Sequence, residues 1–198
     1  MYIDVIMPRG NEKEFLRIGV LLGYKKLFFC YEKSNKQEGL DLTNNEIGVK
    51  IGTIVSNSQN NKPGFFIYKV NNQIRTVIER GAINLIYSQE ELEKKDKQHF
   101  RLSGLNNIVC KILKEKDIIV GFSFNSILKT IGRKRAVILG RMQQNLILCR
   151  KYNVKMFIGS FTTNPYEMRS PRDLMTFGVL LGMHPNEAMC GLELEYQE

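Results

Sequence analysis

Two segments, IIVGFSF (118–124) and VKMFIGSF (154–161), are apolar at nearly every position. A strand with one wet face alternates apolar and polar residues, so a continuous run belongs to a strand covered on both sides, as in a parallel sheet flanked by helices. Parallel neighbours cannot be joined by a tight turn and need a crossover, usually helical. The sequence supplies those crossovers. YIDVIM (2–7) is strand-like, EKEFLRIGVLLGY (12–24) has helical periodicity, and KLFFCYE (26–32) is strand-like again, which makes a βαβ beginning.

The rhythm continues along the chain. SNKQEGLDLTNNE (34–46) is polar with turn residues, VKIGTIVSN (49–57) is a third strand, and NSQNNKPG (57–64) is a loop. FFIYKV (65–70) is a strand or the lead into a helix, QIRTVIERG (73–81) a helix closing on glycine, and INLIYS (83–88) a strand. EELEKKDKQHFRLS (90–103) is charged and reads as exposed. GLNNIVCKILKEKD (104–117) sets Leu105, Ile108, Val109, Ile112 and Leu113 on one helical stripe. SPRDLMTFGVLLG (170–182) opens with a Ser N-cap, Pro at N1 and Asp at N3 and closes on Gly, and NEAMCGLELEYQ (186–197) is a short terminal helix. Six or seven strands alternating with helices, with no GxGxxG or Walker fingerprint, point to one (β/α) barrel over 1–198, irregular and of about seven strands. A doubly wound open sheet is the alternative.

Composition narrows the function classes. With 43% hydrophobic and 25% charged residues the chain is globular in type, and no apolar run approaches the roughly 20 residues that span a bilayer. MYIDVIMPRG lacks the basic and apolar regions of a secretory signal, so the expected location is the cytoplasm, with no membrane partner. Cys30, Cys110, Cys149 and Cys190 are scattered without a CxxC pair and are expected as small apolar fillers; His99 and His184 stand apart from any ligand pattern.

Charge is distributed unevenly. Residues 118–172 hold 10 basic and 1 acidic residue, while 173–198 hold 5 acidic and no basic ones. Within the basic block, GRKRAVILGRMQQNLILCRKY (132–152) reads as one helix with six Lys or Arg and no acid. Surface helices normally mix signs, because like charges one turn apart cost a few tenths of a kcal/mol (about 0.2–0.5). Leu139, Met142, Leu146 and Cys149 follow 3,4,3 spacing and are expected in the core, which puts Arg133, Lys134, Arg141 and Lys151 on an opposite stripe. Such a stripe suits a polyanion, the alternative being a solvated face with solubility as its only role. The candidate nucleic-acid-contacting residues are Arg133, Lys134, Arg135, Arg141, Arg150 and Lys151, with Arg169 and Arg172 at the start of the next helix and Arg101 in HFR (99–101). Arg172 falls in a first helical turn, where free N–H groups favour phosphate, and Arg150 has Glu167 and Asp173 as alternative ionic partners.

Catalytic constellations are sparse. Asp4, Glu32 and Glu79 lie near element ends, where carboxylates could bind Mg²⁺ but are more often caps or surface groups. Ser123, Ser126 and Ser160 sit near strand ends without a histidine placed as base. The aromatic stretches KLFFCYE and GFFIYKV could stack on bases, and their composition fits core strands better.

SGLN (103–106), EKD (115–117), GFSF (121–124), ILGRMQQN (138–145), CRKYNVKMFIGS (149–160) and MRSPRDL (168–174) followed by GVLLGM (178–183) together resemble protein component 3 of archaeal ribonuclease P, the counterpart of the thirty-kilodalton subunit of the eukaryotic enzyme. RTVIERGAINLIYS (75–88) fits more loosely. The resemblance implies a TIM-like barrel related to the polymerase and histidinol phosphatase metalloesterases. It implies a role accessory to a catalytic RNA that removes the 5′ leader of precursor tRNA, and a small ferredoxin-like protein subunit as partner. Those metalloesterases carry an HxH pair where the first strand ends; this chain has Met7 and Pro8 there. The expectation is therefore no catalytic residue, metal or cofactor in the chain itself, with Mg²⁺ at the catalytic RNA. FTTNPYEM after Ser160 also departs from the family, where a small residue often follows that serine. A metal-dependent phosphoesterase on a related barrel and an unrelated RNA-binding barrel are the alternative functions. The acidic 173–198 segment is expected to make protein contact, through acids such as Glu187, Glu193 and Glu195, or to close the barrel.

Overall fold

The computed structural model describes residues 2–32, 46–56, 64–92, 95–97 and 101–194. Seven strands, β1 (Ile3–Ile6), β2 (Lys26–Glu32), β3 (Gly48–Val55), β4 (Phe65–Lys69), β5 (Leu85–Tyr87), β6 (Ile119–Ser123) and β7 (Met156–Gly159), pair in parallel in the order of the chain. Around them run α1 (Glu12–Leu21), α2 (Ile74–Arg80), α3 (Asn107–Glu115), α4 (Phe124–Leu128), α5 (Gly132–Tyr152), α6 (Pro171–Leu181) and α7 (Pro185–Cys190). This is an irregular TIM-like barrel, and the open-sheet alternative fails because β1 returns to the flank of β7. FFIYKV is a strand. The expected polar segment 34–46 and the loop 57–64 lie almost wholly outside the described residues.

Strand alternation sorts the core into an inside and an outside. Ile3, Val5, Phe28, Cys30, Phe65, Ile67, Leu85, Tyr87, Ile119, Phe157 and Phe161 fill the barrel. Intervening residues face the helices: Ile6, Leu27 and Phe29 pack with Phe15 and Leu16 of α1, while Tyr68, Ile86, Val120, Phe122 and Ile158 pack with α2, α3, α5 and α6. A seven-stranded barrel has a narrow interior, so large rings need small neighbours. Gly52, Gly121 and Gly159 supply them: a Cβ at Gly121 would stand 2.8 Å from Phe161, and one at Gly159 2.7 Å from Phe157.

The seam between β1 and β7 is not a regular ladder. At its carboxyl-terminal end the Phe161 N–H donates to the Val5 carbonyl and the Met7 N–H to the Thr162 carbonyl, both at 2.9 Å. At the other end the strands part, and residues 191–192 fill the gap: the Ile3 N–H donates to Leu192 O (2.9 Å) and the Ile158 N–H to Gly191 O (2.7 Å). Between these, the Asp4 carboxylate Oδ1 accepts from the Ser160 N–H (2.7 Å) and the Val5 N–H (2.9 Å). Of the two sequence readings of the acidic segment, barrel closure is therefore what its backbone does. Its acids also work locally. Asp173 completes a capping box with Ser170 at the start of α6, and Glu187 accepts from the His184 N–H at the start of α7. Glu195 lies outside the described residues.

Asp4 is fully buried, and that burial pushes its carboxyl up to about 7, against the Ser160 and Val5 donors that pull it down. An unfolded Asp ionises near pH 4, so from about pH 4 to 7 the unfolded state loses this proton while the fold keeps it. Stability contributed by the protonated group is thus complete below pH 4 and lost as pH rises through 7. Asp4→Asn, whose amide oxygen can still accept both N–H groups, is expected to flatten the fall in melting temperature between pH 5 and 8 by about 5 °C. Thermal melts at fixed ionic strength check this, and an unchanged slope would show that Asp4 does not titrate with folding.

Candidate nucleic-acid interface

Helix α5 spans the predicted 132–152 without a shift. It begins beside the carboxyl-terminal mouth of the barrel and ends below the opposite rim, where Asn153, in the left-handed conformation, donates to the Arg150 and Cys149 carbonyls. Its amino end has no side-chain cap and no acid in the first turn; Arg133, Lys134 and Arg135 stand there instead. Cations at the positive pole of a helix are unfavourable by about 0.3–1 kcal/mol each at low salt. Arg150 and Lys151, at the negative pole, are favourable by the same rule.

The buried face of α5 is rotated from the expected one. Ile138, Met142, Leu146 and Cys149 are buried, and Leu139 is half-buried. Arg141, expected on the cationic stripe, is 2% exposed and therefore lies off the surface. Its guanidinium pairs with Asp96 (2.7 Å) and donates to the Glu90 carbonyl (2.9 Å). One turn on, the Asn145 amide donates to the Glu90 carboxylate (2.8 Å) and to Ser103 O (2.9 Å). Glu90 belongs to the segment expected to be exposed, yet it is fully buried, which raises its carboxyl to about 7 despite the Asn145 and Gln89 donors. Burial would raise Asp96 also, but the Leu102 N–H and the Arg141 guanidinium together hold it below the ordinary range. The 88–105 connection is thus fastened to α5 by polar side chains. Gly104, at φ +84°, lets it pass the Gln89 carbonyl, where a Cβ would collide.

The other eight predicted contacts separate by how firmly the protein holds them. Arg133, Lys134 and Arg172 are exposed and have no protein partner among the described residues. Lys151 is exposed with its ammonium 5.6 Å from the Tyr152 ring centre. Arg135 donates to Thr130 O (2.6 Å), which satisfies a carbonyl just past α4. Arg169 donates to Met168 O (2.8 Å) and lies 5.4 Å over the Phe124 ring. Arg101 donates to Gly140 O (2.9 Å), its guanidinium so close that a Cβ at Gly140 would stand 2.9 Å from Cζ. Arg150 is engaged by Glu187 and by Gly182 O (2.7 Å), not by Glu167 or Asp173, and ties α5 to the corner between α6 and α7. Lys134 and Lys151 are about 26 Å apart along the helix axis, so these residues do not form one patch.

Lys134 also reaches the mouth, a cavity of about 430 Å³ lined in addition by Arg9, Lys69 and Lys129 and by Glu32 and Glu91. Arg9, Lys69 and Lys129 were not singled out in the sequence. Their shared position within a few residues of a strand's carboxyl end is the signal that could have found them. The candidate carboxylates do not converge. Glu32 is at the mouth, Asp4 lies in the seam facing outward, and Glu79 pairs with Arg75 (2.8 Å) on exposed α2. Among the described residues no group of three or more His, Cys, Asp or Glu could hold a metal ion. Ser126 donates to Glu91, the Ser123 hydroxyl accepts from the Ser126 N–H (3.3 Å), and the Ser160 hydroxyl accepts from the Arg169 N–H (3.3 Å). His184 sits at the start of α7, away from all three, and His99 is outside the described residues. Cys30, Cys110 and Cys149 are buried as expected, and Cys190 is exposed.

The fold and this surface define a parallel α/β barrel with an uncompensated cationic helix start beside its mouth. The family described as RNase P subunit p30 matches residues 95–196, and the chain belongs to that family. Ribonuclease P protein component 3 of Methanococcoides burtonii is 31% identical over 90 residues, covering 46% of this chain and 37% of the relative. The protein of the same name from Thermococcus gammatolerans is 34% identical over 89 residues, covering 45% and 42%. The matched segment thus spans well under half the length of either relative. In three dimensions the chain resembles one in a cryo-EM structure of archaeal ribonuclease P with mature tRNA, with a TM-score of 0.73 at 17% identity over 96% of this chain and 87% of that one. It also resembles Aspergillus niger ochratoxinase, with a TM-score of 0.57 at 11% identity over 96% and 69%. At these identities the structural likeness concerns the fold.

Arg141→Ala is expected to lower the melting temperature by about 4–8 °C, because it leaves the Glu90 carbonyl and the partly exposed Asp96 carboxylate without the guanidinium donor, at about 2 kcal/mol. Arg133→Ala should leave it unchanged or raise it slightly. Thermal melts of the two variants side by side test the assignment, and equal behaviour would return Arg141 to the surface set.

Proposed function

We propose that this chain is a protein subunit of ribonuclease P that binds RNA and supports the catalytic RNA in removing the 5′ leader from precursor tRNA. The observation that carries the reading is the start of α5: three cations gathered at the positive pole of a long helix, with no acid in the turn. Phosphate oxygens relieve that arrangement, since they accept from the free N–H groups and neutralise the side chains together. Membership of the family and the names of its relatives agree with it. The contacts are Arg133 and Lys134 with Arg172 at the start of α6, and Arg135, Arg169, Arg101 and Lys151 follow as positioned neighbours. Arg150 serves α5–α7 packing first, and Arg141 is withdrawn from the set.

In this reading the whole of 1–198 acts as one cytoplasmic barrel domain. Mg²⁺ belongs to the catalytic RNA, and the chain alone has no catalytic residue, metal or cofactor. A small ferredoxin-like subunit docks on the 173–198 side, where Val179, Leu180 and Met189 leave apolar side chains exposed. The metalloesterase alternative lacks support from the geometry, because Asp4, Glu32 and Glu79 lie on separate faces. Assay of the isolated chain with Mg²⁺ and Mn²⁺ on phosphate monoesters and precursor tRNA is expected to give no turnover, and turnover abolished by Glu32→Gln would favour the esterase.

Affinity for ribonuclease P RNA should fall with salt by roughly 0.7–0.9 log units per log unit of salt for each phosphate neutralised. The combined variant Arg133→Ala, Lys134→Ala, Arg172→Ala should flatten that slope by about two to three units while leaving the melting temperature within about 2 °C. Filter binding across a salt series decides it. A wild-type slope in the variant would remove α5 and α6 from the interface.

A further inference from the structure

The barrel mouth brings together cations from four separate parts of the chain: Arg9 after β1, Lys69 at the end of β4, Lys129 after α4 and Lys134 in the first turn of α5. Like charges converging on one cavity repel, and only Lys129 has an acidic partner among the described residues, Glu167 at 3.6 Å. Two acids share the lining, Glu32 and Glu91, the latter accepting from the Ser126 hydroxyl, so the four cations exceed the acids by two. The lining also includes the Tyr87 and Phe161 rings, stacked 5.0 Å apart at 10°, with the Tyr87 hydroxyl donated to Met7 Sδ. On the wall, Asn125 gives its amide N–H to Phe161 O (3.2 Å) and keeps a buried Oδ1 with no hydrogen-bond partner among the described residues. A volume near 430 Å³ is within the range of small-ligand sites.

We propose that this mouth binds a phosphate monoester. A terminal phosphate carries close to two negative charges at neutral pH and three oxygens, which suits several convergent cations. A backbone diester carries one charge and has two of its four oxygens tied into the chain, so it matches several convergent cations less well. The uncapped N–H groups at the start of α5 add donors on the Lys134 side. Two sources share this chemistry, a free nucleotide and the phosphorylated end of an RNA. The proposal concerns the mouth alone and does not require assembly into a ribonucleoprotein.

The test is calorimetric titration of the full chain, at constant chloride concentration, with AMP, with adenosine, and with one short RNA prepared with a 5′-phosphate or a 5′-hydroxyl. Saturable one-site binding of AMP is expected, with adenosine at least about tenfold weaker. Arg9→Ala with Lys69→Ala, both away from the α5–α6 interface, should weaken AMP by about tenfold or more with an unchanged circular dichroism spectrum. Should that pair fail to fold, Lys69→Gln at its exposed strand end gives the same reading with a smaller loss. Displacement of AMP by the 5′-phosphorylated RNA and not by the 5′-hydroxyl one identifies an RNA end as the ligand source. Displacement by neither identifies a free nucleotide, and both outcomes keep the site. Equal binding of AMP and adenosine, displacement by the 5′-hydroxyl RNA, wild-type affinity in the variants, or no saturable AMP binding at millimolar concentration would overturn it.

Discussion

The barrel exists because β1 is held against β7, and one buried carboxylate stands at the middle of that junction. Asp4 turns outward from β1, where Ile3 and Val5 turn inward, and accepts the Ser160 N–H that an ordinary ladder would have given to a carbonyl. A side chain can bridge strands that are too far apart or too divergent for backbone pairing. The cost is a desolvated acid, expressed as a carboxyl that keeps its proton to about 7. Ser160 lies at the carboxyl end of β7, and its hydroxyl in turn accepts from Arg169. The junction therefore positions the loop that delivers Arg169 and Arg172.

The same economy of polar groups governs α5. Its inner face holds Arg141 and Asn145, whose donors are used on Glu90, Asp96 and Ser103, so the described part of the connection from β5 to α3 is pinned to the helix by polar side chains. The first turn is left with Arg133 and Lys134, which have no acidic partner among the described residues, while Arg150 near the far end is paired with Glu187. Buried Arg141 and exposed Arg133 are both arginines on one helix. Burial and partners separate a fastening residue from a contact residue, and residue type does not.

Much of the architecture was legible because it rests on period. The continuous apolar runs became parallel strands covered on both faces, 132–152 became a helix over its whole length, and the Ser170, Pro171, Asp173 signature became a capping box. Helical angle alone misplaced Arg141: at about 80° from Arg133 it lies on the border of the buried arc, and the loop packed over it decides the matter. Glu90 was misread for the same reason, since a charged stretch shows no sign that one of its acids meets Asn145 some 55 positions later. Ile108, counted in the α3 stripe, is 53% exposed because the helix turns Val109, Cys110 and Leu113, with Ile112 partly, toward the core. Arg9, Lys69 and Lys129 are marked in the sequence only by their places at or after strand ends, and barrel closure is what brings them together with Lys134.

The plug formed by residues 191–192 sets the order in which the molecule can be finished. While the chain leaves the ribosome, β1 through β7 can assemble one neighbour at a time, but Ile3 and Ile158 receive their carbonyl partners only from Leu192 and Gly191. Until those residues emerge, the newborn barrel is a curled sheet with two unpaired edges near its base, the feature that makes a nascent chain prone to pairing with the wrong neighbour. A chain cut before residue 191 would therefore leave the Ile3 and Ile158 N–H groups without these carbonyls and both edges open at the base.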